Sequence, residues 1–122
     1  MVRILVVDDE VEVCNVLRDF LEVKGFEAYT ALDGRTAITK VKEIRPHIVL
    51  LDIMMPGMGG IEVLKGIKKV DPAVAVIMVT GIYDEELAKR AVALGADEYV
   101  TKPIDFYHLE SVLTIKIVDL LG

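Results

Sequence analysis

Five short apolar runs, set about 20 to 25 residues apart and separated by amphipathic stretches, constrain this chain more than any other feature. The runs cover residues 3–7, 27–31, 48–51, 74–80 and 97–101, and β-branched side chains are frequent in them. Three of the five are apolar at consecutive positions, as a strand is when helices cover both faces of a parallel sheet. Between the runs lie residues 11–24, 33–44, 60–70, 84–94 and 105–121. In the first of these, Val13, Val16, Leu17, Phe20, Leu21 and Val23 recur at helical spacing, with Glu12, Asn15, Arg18, Asp19 and Glu22 between them. Five βα units in series predict one doubly wound α/β domain over residues 1–122, since a chain of this length is too short for two.

Boundary residues agree with that pattern. Lys24-Gly25 and Leu94-Gly95 suit helix ends with glycine in the left-handed position. Asp33, Asp84 and Asp105 stand where N-caps are wanted. Arg45-Pro46 and Asp71-Pro72 stop helices ahead of strands. Nothing in the sequence looks like a linker or a low-complexity tract.

Composition narrows the function classes. The chain carries 14 basic and 20 acidic side chains, a net charge of −6, so it has no basic face with which to displace counterions from nucleic acid or to bind an anionic membrane. Its apolar stretches are too short to span a bilayer, and Met1 leads directly into a strand-like run without a signal sequence. These features predict a cytoplasmic protein. Cys14 has no partner for an internal disulfide, and its helical spacing predicts a core or boundary position.

The chemistry is concentrated at the carboxyl ends of the runs. Val7 is followed by Asp8-Asp9, Leu51 by Asp52, Val79 by Thr80, and Thr101 by Lys102-Pro103. In a doubly wound sheet the ligand sits beyond these ends, where the strand order reverses. With a strand order 2-1-3-4-5, strands 1 and 3 meet at that point, bringing Asp8, Asp9 and Asp52 together. Two carboxylates at 4 Å repel by roughly 4 kcal/mol at an intermediate dielectric, so three of them need a cation. Mg2+ suits an all-oxygen site, whereas zinc would want the cysteine or histidines that lie elsewhere.

Each residue also has a plainer role open to it. Asp8-Asp9 would serve as a helix N-cap and first-turn acid, Asp52 as a turn former, Lys102 as a solvated charge and Thr80 as a strand-end hydroxyl. Their joint placement favours chemistry: next to Mg2+, the Asp52 carboxylate can attack phosphorus and form an acyl phosphate, with Lys102 neutralising phosphoryl oxygens. Neither histidine is a phosphoryl donor; His47 opens a strand, His108 sits on the last helix, and a surface role is expected of both.

The chain resembles the receiver domains of two-component response regulators over essentially its whole length. The matching stretches are Ile4-Leu5-Val6-Val7-Asp8-Asp9-Glu10, Ala31-Leu32-Asp33-Gly34-Arg35-Thr36-Ala37, Leu51-Asp52-Ile53-Met54-Met55-Pro56-Gly57-Met58-Gly59-Gly60 and Gly95-Ala96-Asp97-Glu98-Tyr99-Val100-Thr101-Lys102-Pro103. The resemblance implies a flavodoxin-like five-stranded parallel sheet in the order 2-1-3-4-5. It implies that Asp52 accepts a phosphoryl group from a histidine of a sensor kinase or phosphotransfer protein. Mg2+ would be held by Asp9, Asp52 and the Met54 carbonyl, with Asp8 acting through water. Lys102 would pair with Asp52 or with the phosphoryl group, Thr80 and Tyr99 would form the switch, and Lys102-Pro103 would be cis.

The surface of the fourth helix, fifth strand and fifth helix would then act on an output partner or C-terminal effector domain, or support a homodimer. Met54 and Ile82, flanking the phosphoryl group, offer no group to orient water, which predicts slow self-dephosphorylation. An aspartate-nucleophile phosphatase would want a second acid where Met54 stands, and a flavin carrier would not have Asp8-Asp9-Glu10 as its phosphate loop. The last helix is apolar over more than one stripe (Leu109, Val112, Leu113, Ile115, Ile117, Val118, Leu120, Leu121), so a partner surface and a fraying end are both open readings.

Overall fold

A computed structural model describes residues 1–81 and 85–121. Its elements alternate as β1 (Arg3–Val7), α1 (Val11–Val23), β2 (Glu27–Ala31), α2 (Gly34–Ile44), β3 (Ile48–Asp52), α3 (Gly60–Val70), β4 (Ala75–Thr80), α4 (Glu85–Ala93), β5 (Glu98–Thr101) and α5 (Phe106–Leu121). The strands form one parallel sheet in the order β2-β1-β3-β4-β5. This is the doubly wound fold that the sequence predicts. β3 and β4 are buried along their whole length, which is why those runs are apolar at every position up to the terminal Asp52 and Thr80.

Side chains divide between the two faces of the sheet. Leu5, Val7, Val49, Leu51, Val76 and Met78 point to the face covered by α2, α3 and α4. Ile4, Val6, Ile48, Leu50, Ala75 and Ile77 point to the face covered by α1 and α5, where they meet Cys14, Leu17, Leu21, Leu109 and Leu113. Cys14 is thus a core residue, as its spacing predicts. Only Leu109 and Leu113 of α5 are fully buried, while Ile115, Val118, Leu120 and Leu121 are exposed.

The helix termini are built from local hydrogen bonds. The Asp33 carboxylate accepts from the Thr36 N–H at 2.8 Å, and Asp105 accepts from the N–H groups of Tyr107 and His108. Asp84, expected to cap the fourth helix, lies outside the described residues. Gly25 and Gly95 take positive φ, as expected of residues that follow helix ends. At the start of α3, Gly60 lies so close to β3 that a Cβ there would come within 2.5 Å of the Ile53 carbonyl oxygen. Only glycine allows the helix this approach, which fixes how the loop after Asp52 leaves the sheet.

At the opposite edge of the sheet, α2 ends in an unexpected way. Arg45 adopts the left-handed conformation (φ 54°), which costs a non-glycine residue about 1 kcal/mol or more. The Arg3 guanidinium holds it there, donating to the carbonyls of Ile44 and Arg45 at 2.7 to 3.1 Å. His47 corrects the surface role expected of it. Its N–H donates to the Arg3 carbonyl at 2.9 Å and its Nδ1 accepts from the Arg3 N–H at 3.0 Å, so the ring joins β1 to β3.

Burial, followed by the nearby positive charges of Arg3 and the amino terminus, lowers the His47 pKa from its ordinary 6.5. Protonation at Nδ1 would also place two donors face to face. The stabilising contribution of neutral His47 is therefore complete above the unfolded pKa, and falling pH removes it as the ring is forced to charge. Urea midpoints measured between about pH 7.5 and pH 5.5 should fall more steeply in the wild-type protein than in His47→Asn, whose amide oxygen accepts the same hydrogen bond without titrating.

Candidate functional site

Parallel register brings the candidate residues to one edge. Val7 pairs with Leu51, so Asp8 and Asp52 leave adjacent strands at the same height. Thr80 ends β4 opposite Thr101 of β5, and the next residue, Lys102, donates its N–H to the Thr80 carbonyl at 2.7 Å. Asp8 is 2% exposed, Asp52 5% and Thr80 fully buried.

Each buried aspartate uses one oxygen for its own turn. Oδ1 of Asp8 accepts from the Glu10 N–H at 2.9 Å, and Oδ1 of Asp52 accepts from the Met54 N–H at 3.2 Å. The remaining oxygens face a common cation: Lys102 Nζ lies 3.4 Å from Oδ2 of Asp8 and 3.4 Å from Oδ2 of Asp52. The Lys102-Pro103 bond is cis, as expected. The lysine thus pairs with both aspartates, not with Asp52 alone.

Carboxylate oxygens of Asp8, Asp9 and Glu10 lie within 4.8 Å of one another. Hard oxygen donors grouped in this way fit a hydrated divalent cation such as Mg2+. Glu10 is the member that sequence reasoning passed over as a donor; its place directly after Asp8-Asp9, in the turn before α1, was the available signal. Beneath this turn the buried Cys14 thiol donates to the Asp8 carbonyl, with a sulfur–oxygen distance of 3.4 Å. Burial, then the Asp8 charge, raises the thiol's pKa.

The sequence profile of the response regulator receiver domain matches residues 4–114. The chain belongs to this family. It is 40% identical over 111 residues to the regulatory protein AtoC of Escherichia coli, covering 91% of this chain and 24% of AtoC. To the DNA-binding response regulator MtrA of Mycolicibacterium paratuberculosis it is 41% identical over 101 residues, covering 83% of this chain and 44% of MtrA. The chain thus spans about a quarter of AtoC and under half of MtrA. Among solved structures, a response regulator receiver domain protein from Clostridium thermocellum superposes with a TM-score of 0.92 at 32% identity, covering all of both chains. NtrX from Brucella abortus, solved in complex with ADP, gives 0.93 at 32% identity, covering 98% of this chain and 28% of NtrX.

The other expected site residues of the receiver domain are less tightly tied. Thr80 Oγ1 donates to the Gly81 carbonyl at 3.2 Å, and Tyr99 is half-buried against the core beneath α2, α3 and α4. The Met54 side chain is exposed, and Ile82 lies outside the described residues.

Electrostatically the site is under tension. Burial raises the Asp52 pKa, and the Lys102 charge and the Met54 N–H only partly reverse this. Burial also acts to lower the Lys102 pKa, but the Asp52 and Asp8 charges together overcome it and raise the value. A carboxyl whose folded pKa lies above its unfolded value destabilises the fold once it is ionised, and the cost fades as pH falls into the carboxyl range. Without divalent metal, Asp52→Asn should therefore melt several degrees higher than wild type at pH 7, an advantage that shrinks on acidification in a thermal melt series.

Proposed function

We propose that this receiver domain is a phosphoryl-accepting switch, with Asp52 receiving the group from a phosphohistidine of a sensor kinase or phosphotransfer protein. The observation that carries this reading is the isolation of one oxygen: Asp52 Oδ1 is held by the Met54 N–H, while Oδ2 faces Lys102 at 3.4 Å. That oxygen attacks phosphorus, a P–O bond forms, the P–N bond to the donor imidazole breaks, and its electron pair stays on the ring nitrogen. Lys102 stands where it can neutralise the phosphoryl oxygens.

Asp9, Asp52 and the Met54 carbonyl would hold Mg2+, with Asp8 acting through water; Glu10 is close enough to join them. Bound there, the cation would offset charge on the phosphoryl oxygens and relieve repulsion among the carboxylates. Phosphorylation adds roughly −1.5 to −2 charges beside Lys102 and Thr80. The Thr80 hydroxyl then leaves the Gly81 carbonyl for a phosphoryl oxygen, and Tyr99 turns inward behind it. The change is read by α4, β5 and α5, whose surface engages an output protein, a C-terminal effector domain or a second copy of the chain. With a net charge of −6, this domain leaves any nucleic-acid contact to its output partner. Among the described residues no helix is long and apolar enough to cross a membrane, and a cytoplasmic switch goes with this reading.

Incubation with Mg2+ and a small acyl phosphate, followed by intact-mass measurement, tests the proposal. One phosphoryl adduct is expected on wild type and none on Asp52→Asn or after chelation of the metal; turnover of the donor without an adduct would favour a hydrolase. Once the donor is removed, the adduct should persist for minutes or longer, because the Met54 side chain cannot orient water. Loss of the adduct within seconds would sink that part of the reading.

A further inference from the structure

The segment that carries Lys102 is only partly covered, with Ile104 against the core and its neighbours open to solvent. After its N–H bond to Thr80 the backbone runs through Pro103, Ile104 and Asp105 to the start of α5, and Pro103 and Asp105 are exposed. Between this segment and α1 lies an open cleft of about 440 Å³, flanked by Glu10, Val13, Val16 and Leu17 on one side and by Pro103 and Ile104 on the other. At Phe106, which also lines the cleft, the two elements meet. The rings of Phe20 on α1 and Phe106, the first residue of α5, lie 4.7 Å apart between centroids at an interplanar angle of 42°. Lys24 reinforces this pair: its Nζ sits 5.8 Å from the centre of the Phe20 ring and 2.8 Å from Oε2 of Glu110, one helical turn after Phe106.

We propose that Phe20 and Phe106 are positioning residues for Lys102: with the Lys24–Glu110 ion pair they clamp the start of α5 to α1 and so set the reach of the lysine between Asp8 and Asp52. The proposal rests on the reading of Asp52 as phosphoryl acceptor. Lys102 Nζ lies 3.4 Å from each carboxylate, near the outer limit of a hydrogen bond, so a small displacement of α5 breaks one contact or both. Phe20 touches neither carboxylate, and its effect passes through Phe106 and the four residues before it.

The test uses the whole domain and three readouts. These are phosphoryl uptake from a small acyl phosphate, Mg2+ affinity by calorimetry, and the reductive methylation rate of Lys102 relative to the other lysines by peptide mass. Phe20→Ala should slow uptake about tenfold, short of the roughly hundredfold that a full 1 Å misplacement can cost. It should also raise Lys102 methylation several-fold and leave Mg2+ affinity unchanged or tighter, because a loosened Lys102 competes less for the carboxylates. Phe20→Leu, which keeps an apolar contact, should stay close to wild type. Lys24→Met, at a surface position, should show the same split with smaller amplitude, and it carries the test if Phe20→Ala does not fold.

Lys102 methylation unchanged in Phe20→Ala, or uptake and Mg2+ affinity falling together with stability, would overturn the clamp. A wild-type domain that takes up no phosphoryl group would instead overturn the reading of Asp52, and the methylation comparison would still decide the clamp on its own.

Discussion

Two aspartates almost without water, and the single ammonium between them, set the terms for the rest of this structure. Asp8 and Asp52 sit at the ends of neighbouring strands that helices cover on both faces, so solvent screens them weakly. A pair of carboxylates in that position is tolerable only with a cation within reach. Lys102 follows β5, two places along the sheet from β3, and spans that distance because β4 ends in the small Thr80 and bonds the lysine's backbone. Strand order, the length of β4 and the turn after β5 are thus all tied to one electrostatic need.

That dependence explains which parts were legible in the sequence. Central strands under helices must be apolar at every position, so β3 and β4 declared themselves as runs, and the polar residues that end them stood out. Helix ends were legible where a glycine or an aspartate acts locally, as at Gly25, Asp33 and Asp105. His47 was not legible. Its partner is the backbone of Arg3, 44 residues away, and no local pattern distinguishes a strand-opening histidine that accepts such a bond from one that faces solvent. The left-handed Arg45 escaped for the same reason, since its stabilising group arrives from β1. Lys102 was read as a partner of Asp52, but its equal distance from Asp8 depends on side-chain reach that spacing does not carry.

Asp97 illustrates a second kind of information hidden from the sequence. Its carboxylate accepts from the Val76 N–H at 2.8 Å, lies 3.3 Å from Lys68 on α3 and 3.8 Å from Lys116 on α5. One side chain at the start of β5 therefore ties the helices on opposite faces of the sheet to the same point. Lys116, the one basic residue of α5, is engaged within its own domain, and it also pairs with Asp119. A second copy docking on α5 would have to compete for that lysine or rely on the exposed Ile115 and Val118 instead. Uncharged contact is the more economical route for a chain of net charge −6, because bringing two such chains together through acidic rims adds repulsion.

The same charge balance gives the proposed switch its direction. Lys102 divides its charge between two carboxylates, and neither contact is short. A phosphoryl group on Asp52 adds roughly −1.5 to −2 charges on one side of that balance and none on the other. In the proposed switch the ammonium would then be drawn towards Asp52, and Asp8 would need another partner, which a cation held by the neighbouring acids would supply. Since the backbone of Lys102 is bonded to that of Thr80, a change in the lysine's pull would reach the end of β4 without an intermediary. The buried hydroxyl of Thr80, bonded to the Gly81 carbonyl, is a donor that could change partners, and it stands at the end of β4.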